Sequence, residues 1–393
     1  MRVLILGAGY AGVTLARQLE SALPPEVELV VVDESDTHLV KHEVHRVIRR
    51  PGVSEAIRVP LSELFDRASI RTTRVTEIDR DARVVHLGDG QTLSYDYAAI
   101  CLGSDTADYS IPGIAEHGRP LTSIDDALAI NDAFFEAAAR VDESDVDESG
   151  ADGSDSVVID AVVGGAGLSG IQTAGELAAL ADEEGVPTKV TLLEQEHNVA
   201  PNFPAKFQTA VRSALKSEGV TVRTGTTVER ATADAVETDR GTFPADVFVW
   251  AGGIAGTDAM SGDRPVVQSD LRVDERTFAV GDAARGVDAD GEPIPASASA
   301  ALREARTVAD NIARLVDHEI SGSAGFAPRL EPYRFNVPGW IVSVGDQTVA
   351  QLGPEVVTGA AAKAMKTAVG AGHLSSVGAI RSAAELAEAE LRA

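Results

Sequence analysis

Residues 1–12 read MRVLILGAGYAG, and residues 156–170 read SVVIDAVVGGAGLSG. Each stretch is an apolar run, typical of a β-strand, that ends in glycines spaced as G-x-G-x-x-G. Each continues into a helical pattern and then a second apolar run that ends in an acid, Asp33 in the first case and Glu194 in the second. The order strand, glycine turn, helix, strand and acid therefore occurs twice.

This repeated unit is suited to a dinucleotide. The first glycine permits a tight turn, the second lets the backbone approach a pyrophosphate, and the third lets helix and strand pack closely. The helix N-terminus offers N–H groups and partial positive charge, and the acid can accept hydrogen bonds from a ribose diol. The glycines are Gly7, Gly9 and Gly12 in the first unit and Gly165, Gly167 and Gly170 in the second. Two units predict two nucleotides, most simply a bound flavin nucleotide and an exchanging nicotinamide nucleotide. Glu194 favours NAD over NADP, because a carboxylate repels a 2′-phosphate.

The composition narrows the class of protein. The chain has 393 residues, 44% of them hydrophobic, which indicates two or three domains and excludes global disorder. With 34 Lys and Arg against 61 Asp and Glu, the formal charge is -27, and such a surface repels nucleic acid. Only six of the basic residues are Lys. This composition indicates a halophilic protein adapted to a saline cytoplasm, with GC-rich coding as the alternative explanation.

The single cysteine, Cys101, excludes several chemistries. One thiol cannot form an intrachain disulfide, a redox-active cysteine pair or a cysteine metal cluster, and no metal site is expected. Disulfide reduction and sulfide oxidation, which need paired cysteines, are excluded on the same ground. The chain opens with a predicted strand rather than a signal peptide and has no apolar stretch of about 18 residues. We therefore expect a cytoplasmic protein.

Several segments resemble one family of flavoproteins. They are LGAGYAG (6–12), YDYAAICLGS (95–104), VVGGAGLSGIQTAGEL (162–177), FAVGDAA (278–284) and GWIVSVGDQTVAQLG (339–353). Together they resemble the type II NADH dehydrogenases, the single-subunit NADH:quinone oxidoreductases of the pyridine nucleotide-disulfide oxidoreductase-like superfamily. The resemblance implies an α/β fold with two Rossmann-like dinucleotide-binding domains. The NAD domain would be inserted into the FAD domain, and a small β/α region would follow at the C-terminus.

The repeat and the resemblance together predict five segments. They are the first part of the FAD domain (1–120), a connecting helix and acidic loop (121–155), the NAD domain (156–260), the second part of the FAD domain (261–322) and an interface or membrane-contact region (323–393). Within the second segment, residues 141–155 contain seven acids and are predicted to form a mobile, solvated loop.

The resemblance also implies where both cofactors bind. FAD would lie on the first unit, with its pyrophosphate at the glycines, its adenosine ribose at Asp33 and its adenine at the Val75 backbone. The other implied FAD contacts are Tyr10, Ala11, Glu34, Gly103, Asp282, Ala298 and Ser299. NADH would lie on the glycines of the second unit and on Glu194, with Gly253 letting the nicotinamide approach. A helix N-terminus near Ala298 would also stabilise the negative charge of reduced flavin.

The reaction implied by the resemblance is hydride transfer from NADH to flavin N5, followed by transfer of two electrons to a quinone. The first step needs no acid or base from the protein. Two alternatives remain open, an NADH-dependent reductase of a protein electron carrier and a non-catalytic nucleotide-binding redox sensor.

Some site residues depart from the family pattern. The family usually has Glu where this chain has Gln172, which can position the nicotinamide ribose or amide but cannot exchange a proton. The family's quinone-side pattern A-Q-x-x-x-Q reads ASAALR here (298–303), so Ser299 and Arg303 replace both glutamines. Arg303 either binds a polar acceptor or pairs on an exposed face, and the exposed face is favoured.

Lys41 is the remaining candidate catalytic residue, beside Gln172 and Ser299. It lies in a cluster with His38, His42, Glu43 and His45 that could deliver a proton to the reduced acceptor. The spacing also fits a solvated helix, which is the favoured interpretation.

The tail carries an unusual charge pattern. Residues 356–382 contain Lys363, Lys366 and Arg381 and no acid. This pattern fits peripheral contact with the cytoplasmic face of the cell membrane, although the tail has no aromatic residue. An Ala-rich packing or homodimer helix fits it equally well.

Overall fold

The computed structural model of the protein describes residues 1–147, 158–322, 326–337, 339–379, 383, 384 and 387. The first part of the chain forms β1 (Arg2–Leu6), α1 (Tyr10–Ala22), β2 (Glu28–Asp33), β3 (Thr37–Leu39), α2 (His45–Arg49), β4 (Arg58–Pro60), β5 (Ser69–Thr72), β6 (Val75–Asp79), β7 (Val84–Leu87), β8 (Thr92–Ser94), β9 (Tyr97–Ile100), β10 (Asp105–Thr106), α3 (Ile114–His117) and α4 (Ile124–Asp147). The central part forms β11 (Ile159–Gly164), α5 (Leu168–Glu184), β12 (Thr188–Glu194), α6 (Ala205–Ser217), β13 (Thr221–Thr224), β14 (Val228–Ala231), β15 (Ala235–Thr238), β16 (Gly241–Pro244), β17 (Val247–Trp250) and β18 (Ile254–Ala255). The last part forms β19 (Thr277–Ala279), α7 (Ala298–Ile320), β20 (Gly339–Val344), β21 (Gln347–Leu352), β22 (Glu355–Thr358) and α8 (Ala360–Ser376).

The first glycine turn follows β1, which belongs to a parallel sheet of five strands in the order β5-β2-β1-β9-β19. β1 lies at its centre, with Val3 opposite Leu29 on one side and Tyr97 on the other. The side chains from Val3 to Leu6 are completely buried, as expected of a parallel strand covered on both faces. Because β19 follows the whole central part of the chain, the chain leaves this sheet and later returns to it.

The second glycine turn leaves a parallel sheet of four strands in the order β13-β12-β11-β17. β11 lies at its centre, as β1 does in the first sheet. In both sheets one neighbour of the central strand is the next strand along the chain (β2 or β12), and the other follows later in the chain (β9 or β17). In such sheets ligands bind at the carboxyl ends of the strands, where the strand order reverses. The predicted α/β fold with two Rossmann-like domains is thus confirmed, whereas the domain boundaries stay predictions.

Smaller antiparallel sheets complete the fold. The sheet β6-β7-β8 is formed by the chain between β5 and β9 of the first sheet, and β14-β15-β16 by the chain between β13 and β17 of the second. The sheet β20-β21-β22 lies near the C-terminus. β10 pairs with β18, with Asp105 opposite Ala255, and so joins the two segments that run between the sheets. α1 packs against α7, and α5 packs against β20.

The acidic stretch differs from the predicted loop. α4 continues to Asp147, so the first part of residues 141–155 is helical. The helix is anchored by Phe134, which is completely buried, and each further residue adds one backbone hydrogen bond at little cost once a helix has formed. Residues 148–155 lie outside the described part of the chain.

A buried pair of histidines joins α8 to the first domain. His38 Nδ1 lies 2.9 Å from the carbonyl oxygen of Ala8, and we therefore assign the ring proton to Nδ1. His38 Nε2 then accepts a hydrogen bond from Nε2 of His373, 3.1 Å away. Burial lowers the pKa of His38 to about 4 and that of His373 to about 3, so both rings are neutral at pH 7. Among the described helices, none has the length and apolar content that crossing a membrane requires.

Gly175→Ala tests the packing of β20 on α5. A Cβ at Gly175 would lie 2.3 Å from the backbone nitrogen of Gly345, which is part of the β20–β21 hairpin. We expect the variant to lose about 1–3 kcal/mol of unfolding free energy in urea titrations, the usual cost of overpacking. The control is Gly372→Ala in α8, where a Cβ meets no atom within 4 Å and stability should be unchanged or slightly higher. Equal losses in both variants would contradict this packing.

His38→Gln tests the neutral histidine pair. Between pH 6.5 and about pH 4 the unfolded chain takes up protons at these histidines and the folded chain does not, so the free energy of unfolding falls as the pH falls. Gln keeps a donor for the Ala8 carbonyl but cannot titrate. Between about pH 6.5 and pH 4.5 the free energy of unfolding should fall by about 2 kcal/mol less in the variant than in the wild type, as measured by thermal unfolding at each pH. Exposed His197→Gln should follow the wild type, and a His38→Gln curve parallel to the wild type would refute the assignment.

Candidate functional site

A cavity of about 1300 Å³ opens at the carboxyl ends of β1 and β2, beside the start of α7. Ordinary small-molecule sites have volumes of about 300–1,000 Å³. This cavity is larger, as a site for a dinucleotide and a second ring system must be. The residues predicted from the sequence that line it are Gly7, Gly9, Tyr10, Ala11, Asp33, Glu34, Lys41, Val75, Gly103, Gln172, Asp282, Ala298 and Ser299. The predicted residues that do not line it are Gly12, Gly165, Gly167, Gly170, Glu194 and Gly253.

The two glycine turns have the same construction. Gly7 has a φ of +101°, and a Cβ on Gly12 would lie 1.8 Å from the Gly7 carbonyl oxygen. In the second turn Gly165 has a φ of +98°, and a Cβ on Gly170 would lie 1.8 Å from its carbonyl oxygen. The first glycine of each turn is needed because other residues rarely adopt a φ near +100°. The third is needed because a Cβ there would prevent the helix from packing directly on the turn.

Both turns expose the start of a helix. A Cβ on Gly9 or on Gly167, the residues that precede α1 and α5, would meet no atom within 4 Å. Neither helix has a side-chain cap or an acid in its first turn. Their first N–H groups are thus available to an anion, and the bare backbone fits a pyrophosphate. The first turn lies in the cavity wall, whereas the second touches the cavity through Leu168 and Ser169.

The acid that follows each unit holds its glycine turn. Asp33 accepts hydrogen bonds from the backbone nitrogens of Ala8, 2.6 Å away, and Ser35, 2.8 Å away. Glu194 accepts from the nitrogen of Ala166 at 2.7 Å and from that of Glu196 at 2.9 Å. Besides the ribose contact predicted from the sequence, each acid therefore also holds the backbone of its glycine turn, which the sequence did not predict. Burial raises the pKa of Asp33 despite the two hydrogen bonds that oppose the shift.

The start of α7 forms the opposite wall of the cavity. Ser297 caps this helix by accepting a hydrogen bond from the nitrogen of Ala300 at 3.2 Å. Ser299 accepts hydrogen bonds from Arg303 through both its hydroxyl and its carbonyl oxygen. Arg303 is half-buried and lines the cavity, so the favoured prediction of an exposed face was wrong. The reason is the i, i+4 spacing, which brings the guanidinium back over the first turn of the helix.

Glu304 is a buried acid that sequence analysis missed. It is 2% exposed, and it accepts a hydrogen bond from the nitrogen of Gly281 at 2.5 Å. Burial raises its pKa to about 7, so that this carboxyl is close to half-protonated at neutral pH. The available signal was its place on the apolar face of α7, four residues after Ala300 and four before Val308.

The cluster around Lys41 is not a solvated helix, contrary to the favoured prediction. Lys41 is exposed and lines the cavity, but Glu43 is 1% exposed and His45 is 3% exposed. Lys366 of α8 covers Glu43, with its Nζ 3.0 Å from the carboxylate, and His42 Nε2 lies 3.3 Å from the same group. Although burial opposes it, Lys366 and the neighbouring cations lower the pKa of Glu43 to about 2. Across the described residues, no three His, Cys, Asp or Glu side chains are placed to hold a metal ion.

The hydroxyl of Tyr10 extends this cluster to the first glycine turn. It shares a short hydrogen bond with His42 Nδ1, and its ring packs edge-on against His373 with centroids 4.7 Å apart. Tyr10, His42, Lys366 and His373 all line the cavity. A continuous polar wall therefore runs from the glycine turn to α8.

Gln172 lies in the cavity wall on the second domain. Its amide nitrogen is 3.4 Å from Nε2 of His45, and burial lowers the pKa of His45 well below its usual value, so the neutral ring accepts from the amide. Glu176, one turn further along α5, is 6% exposed and lies 3.9 Å from the same ring nitrogen. Burial raises the pKa of Glu176 to about 7 against the opposing effect of Lys366 and nearby arginines. The carboxyl of Glu176 can therefore titrate near neutral pH. It lies close to Gln172 but does not itself line the cavity.

Tyr109 covers Gly253, which sequence analysis did not foresee. A Cβ on Gly253 would lie 2.0 Å from the Tyr109 hydroxyl, although Tyr109 itself is 63% exposed. The neighbouring segment is tied to β17 by the indole nitrogen of Trp250, which donates to the carbonyl oxygen of Ala107 at 2.7 Å. The face of Gly253 assigned to a nicotinamide is therefore occupied by a surface tyrosine.

Known proteins resemble the chain over nearly its whole length. A type II NADH:quinone oxidoreductase of Staphylococcus aureus (strain MSSA476) is 25% identical over an alignment of 408 positions that covers 96% of each chain. The solved structure of NDH2 from Plasmodium falciparum in complex with NADH aligns with a TM-score of 0.79 at 13% identity and covers 94% of each chain. The sulfide:quinone oxidoreductase of Aquifex aeolicus aligns with a TM-score of 0.75 at 18% identity, covering 97% of this chain and 92% of that one.

The chain also matches one protein family over most of its length. Residues 1–305, which contain both glycine turns and the start of α7, match the pyridine nucleotide-disulphide oxidoreductase family. The chain therefore belongs to this family of oxidoreductases.

Proposed function

We propose that the protein is an FAD-dependent NADH dehydrogenase that passes electrons to a quinone. The observation that carries the proposal is the pair of uncapped helices after glycine turns, one in the wall of a cavity of about 1300 Å³ and one at its edge. Two nucleotides held in this way bring a resident and an exchanging ring system into one cavity. Resemblance to type II NADH:quinone oxidoreductases over 96% of the chain supports the same activity.

The first unit holds FAD. The N–H groups at the start of α1, with Gly7, Gly9 and Gly12 behind them, bind the pyrophosphate. Asp33 keeps oxygen lone pairs for the adenosine ribose in addition to its two backbone hydrogen bonds. Further contacts come from Tyr10, Ala11, Glu34, Val75, Gly103, Asp282, Ala298 and Ser299.

The second unit holds NADH. The N–H groups at the start of α5, with Gly165, Gly167 and Gly170 behind them, bind its pyrophosphate, and Glu194 accepts from the ribose and disfavours a 2′-phosphate. Gly253 lets the nicotinamide approach, which requires that Tyr109 leave the face it covers, since the two rings cannot share it.

The protein supplies position and electrostatics rather than acid–base catalysis to the first step. When bound, FAD accepts a hydride from NADH and passes two electrons on to the acceptor, chemistry that side chains cannot supply. The N–H groups at the start of α7 favour negative charge nearby, and Gln172, fixed by His45, orients the nicotinamide ribose or amide.

The acceptor binds at the end of the cavity formed by the C-terminal region. Trp340, Ile341 and Val369 supply apolar surface there, and two further residues of the cavity wall, Lys41 and Arg303, carry positive charge. This combination suits a quinone, whose ring is apolar and whose oxygens become negative on reduction. We assign proton delivery to the reduced acceptor to Lys41, which is exposed and lines the same cavity.

The same end of the molecule is where we place contact with the membrane. Val369 on α8 is 58% exposed, and Lys363 on the same helix is only partly buried. An exposed apolar residue on a helix that also carries a partly exposed cation suits the anionic cytoplasmic face of a membrane, where a respiratory-chain quinone is dissolved. Association into a homodimer through α8 and adaptation to high salt remain further proposals.

Anaerobic titration of the flavin-loaded protein with NADH tests the proposed activity. We expect stoichiometric bleaching of the flavin absorbance, because both rings meet in one cavity, and rapid recovery on addition of a menaquinone analogue. Unchanged absorbance would favour the redox sensor. Bleaching that only a protein carrier reverses would favour the carrier reductase. NADPH is the control and should bleach far more slowly, because Glu194 repels its 2′-phosphate.

Gln172→Glu tests whether this residue positions or transfers protons. Hydride transfer needs no proton at this place, so NADH-to-ferricyanide activity should stay within about tenfold of the wild type. The measurement is steady-state turnover together with stopped-flow flavin reduction. Gln172→Ala, which cannot hydrogen-bond, should raise KM for NADH, and complete loss of flavin reduction in Gln172→Glu would contradict a positioning role.

A further inference from the structure

The buried carboxyl of Glu304 joins α7 to the turn that follows β19. Its Oε2 accepts the hydrogen bond from the nitrogen of Gly281 at 2.5 Å, and the residue is 2% exposed. Gly281 and Asp282 line the large cavity, whereas Glu304 does not and so lies behind this part of its wall. No step of the proposed reaction uses this carboxyl.

Glu304 lacks a close cationic partner among the described residues. Arg264 acts on it from a distance, but Arg264 donates through Nε to the carbonyl oxygen of Asp282 at 2.7 Å and through Nη2 to that of Ala284 at 2.5 Å. A buried charge without a paired cation is costly. Burial therefore raises the pKa of Glu304 to about 7 against the hydrogen bond from Gly281 and the charge of Arg264, and Asp282 adds to this rise.

Two other buried groups that can titrate face Glu304. They are the thiol of Cys101, directly after β9, and the phenol of Tyr333. Burial and the charge of Glu304 raise the pKa of both groups above their usual values, so both keep their protons at pH 7. Among the buried groups of this cluster, Glu304 is thus the one whose charge changes near neutral pH.

We propose that Glu304 takes up a proton when the bound flavin is reduced and releases it when the flavin is reoxidised. This role rests on the proposed function, in which the start of α7 favours the negative charge of reduced flavin. Glu304 follows Ala298 by six residues on this helix, which places it about 9 Å further along the axis. A unit charge about 10 Å away changes a proton affinity by about tenfold at the effective dielectric of proteins.

The protons and electrons balance in both halves of the reaction. Hydride transfer from NADH leaves oxidised nicotinamide and an anionic reduced flavin, and this step takes no proton from water. Glu304 then takes one proton from water and so compensates the added charge. When two electrons, the transferred hydrogen and one further proton from the acceptor end reach the quinone, the flavin loses its charge and Glu304 returns its proton. Glu304 acts through charge alone and is a positioning residue.

Proton uptake during anaerobic reduction tests this role on the flavin-loaded full-length protein. NADH is the reductant, and a pH-indicator dye in weakly buffered solution reports the protons. At about pH 7.5 the wild type should take up about half a proton more per flavin than Glu304→Gln, and this difference should fall about fivefold at about pH 6 and pH 9. A wild type that takes up no proton between about pH 6.5 and pH 8.5 overturns the proposal, whether or not the variant folds.

The same experiment separates this role from the proposed function. Flavin bleaching reports the reaction with NADH, whereas the dye reports Glu304. If NADH leaves the flavin oxidised, the proposed function fails, and photoreduction without NADH replaces it. Each flavin then takes one additional proton in both proteins, and the half-proton difference between them should be unchanged. Equal uptake by both proteins under photoreduction overturns the role of Glu304.

Three variants identify the group that takes the proton. Glu304→Gln keeps an oxygen for the N–H of Gly281 but cannot be protonated. Asp310→Asn removes an exposed acid of the same helix and is the matched control, with uptake equal to that of the wild type. Glu176→Gln removes the other buried carboxyl that titrates near pH 7 and should also leave the uptake unchanged. Uptake that is lost in Glu176→Gln and kept in Glu304→Gln overturns the assignment.

Infrared spectroscopy provides a readout that altered packing would not reproduce. The reduced-minus-oxidised difference spectrum of the wild type and of Asp310→Asn should contain the C=O band of a newly protonated carboxyl. This band should be missing from Glu304→Gln. A band of equal size in Glu304→Gln, or no such band in the wild type, refutes the proposal.

Discussion

The bond between a carboxylate and the glycine turn beside it is the interaction on which the site depends. Asp33 and Glu194 each end a strand next to the one that carries the turn, and each accepts the N–H of the residue after the first glycine, Ala8 at 2.6 Å and Ala166 at 2.7 Å. This bond holds the turn at the carboxyl edge of the sheet. Because the turn is held there, the helix that follows points its uncapped N–H groups into the ligand site.

The position of α8 depends on a few buried polar contacts rather than on a large apolar face. The His38–His373 hydrogen bond and the Lys366–Glu43 ion pair both join α8 to the first domain, and all four residues are at most 7% exposed. Polar groups buried in this way tolerate few alternative arrangements, because any shift leaves a donor or an ion unpaired. The acceptor end of the cavity therefore has one defined wall, although the helix itself is rich in alanine.

Charge is distributed very unevenly between surface and interior. The chain as a whole carries -27, yet cations from α2 and α8 gather around Glu43 and Glu176. An acidic surface stays solvated in salt, where its repulsion is screened. The buried cations act over short distances at low dielectric and lower the pKa of both Glu43 and Glu176. At Glu43 the direct contact with Lys366 outweighs the effect of burial and the pKa falls, whereas at Glu176 burial dominates and the pKa rises.

The two Rossmann-like units could be predicted because their signals are local. Strand, glycine turn, helix and acid occupy about forty consecutive residues, and steric limits on φ at Gly7 and Gly165 permit little else there. The burial of Glu43 and His38 could not be predicted, because the residues that cover them, Lys366 and His373, lie more than 300 positions further along the chain. The same holds for Tyr109, which covers the distant Gly253. Local pattern specifies which backbone forms, but which side chains meet depends on packing between distant segments, which periodicity does not encode.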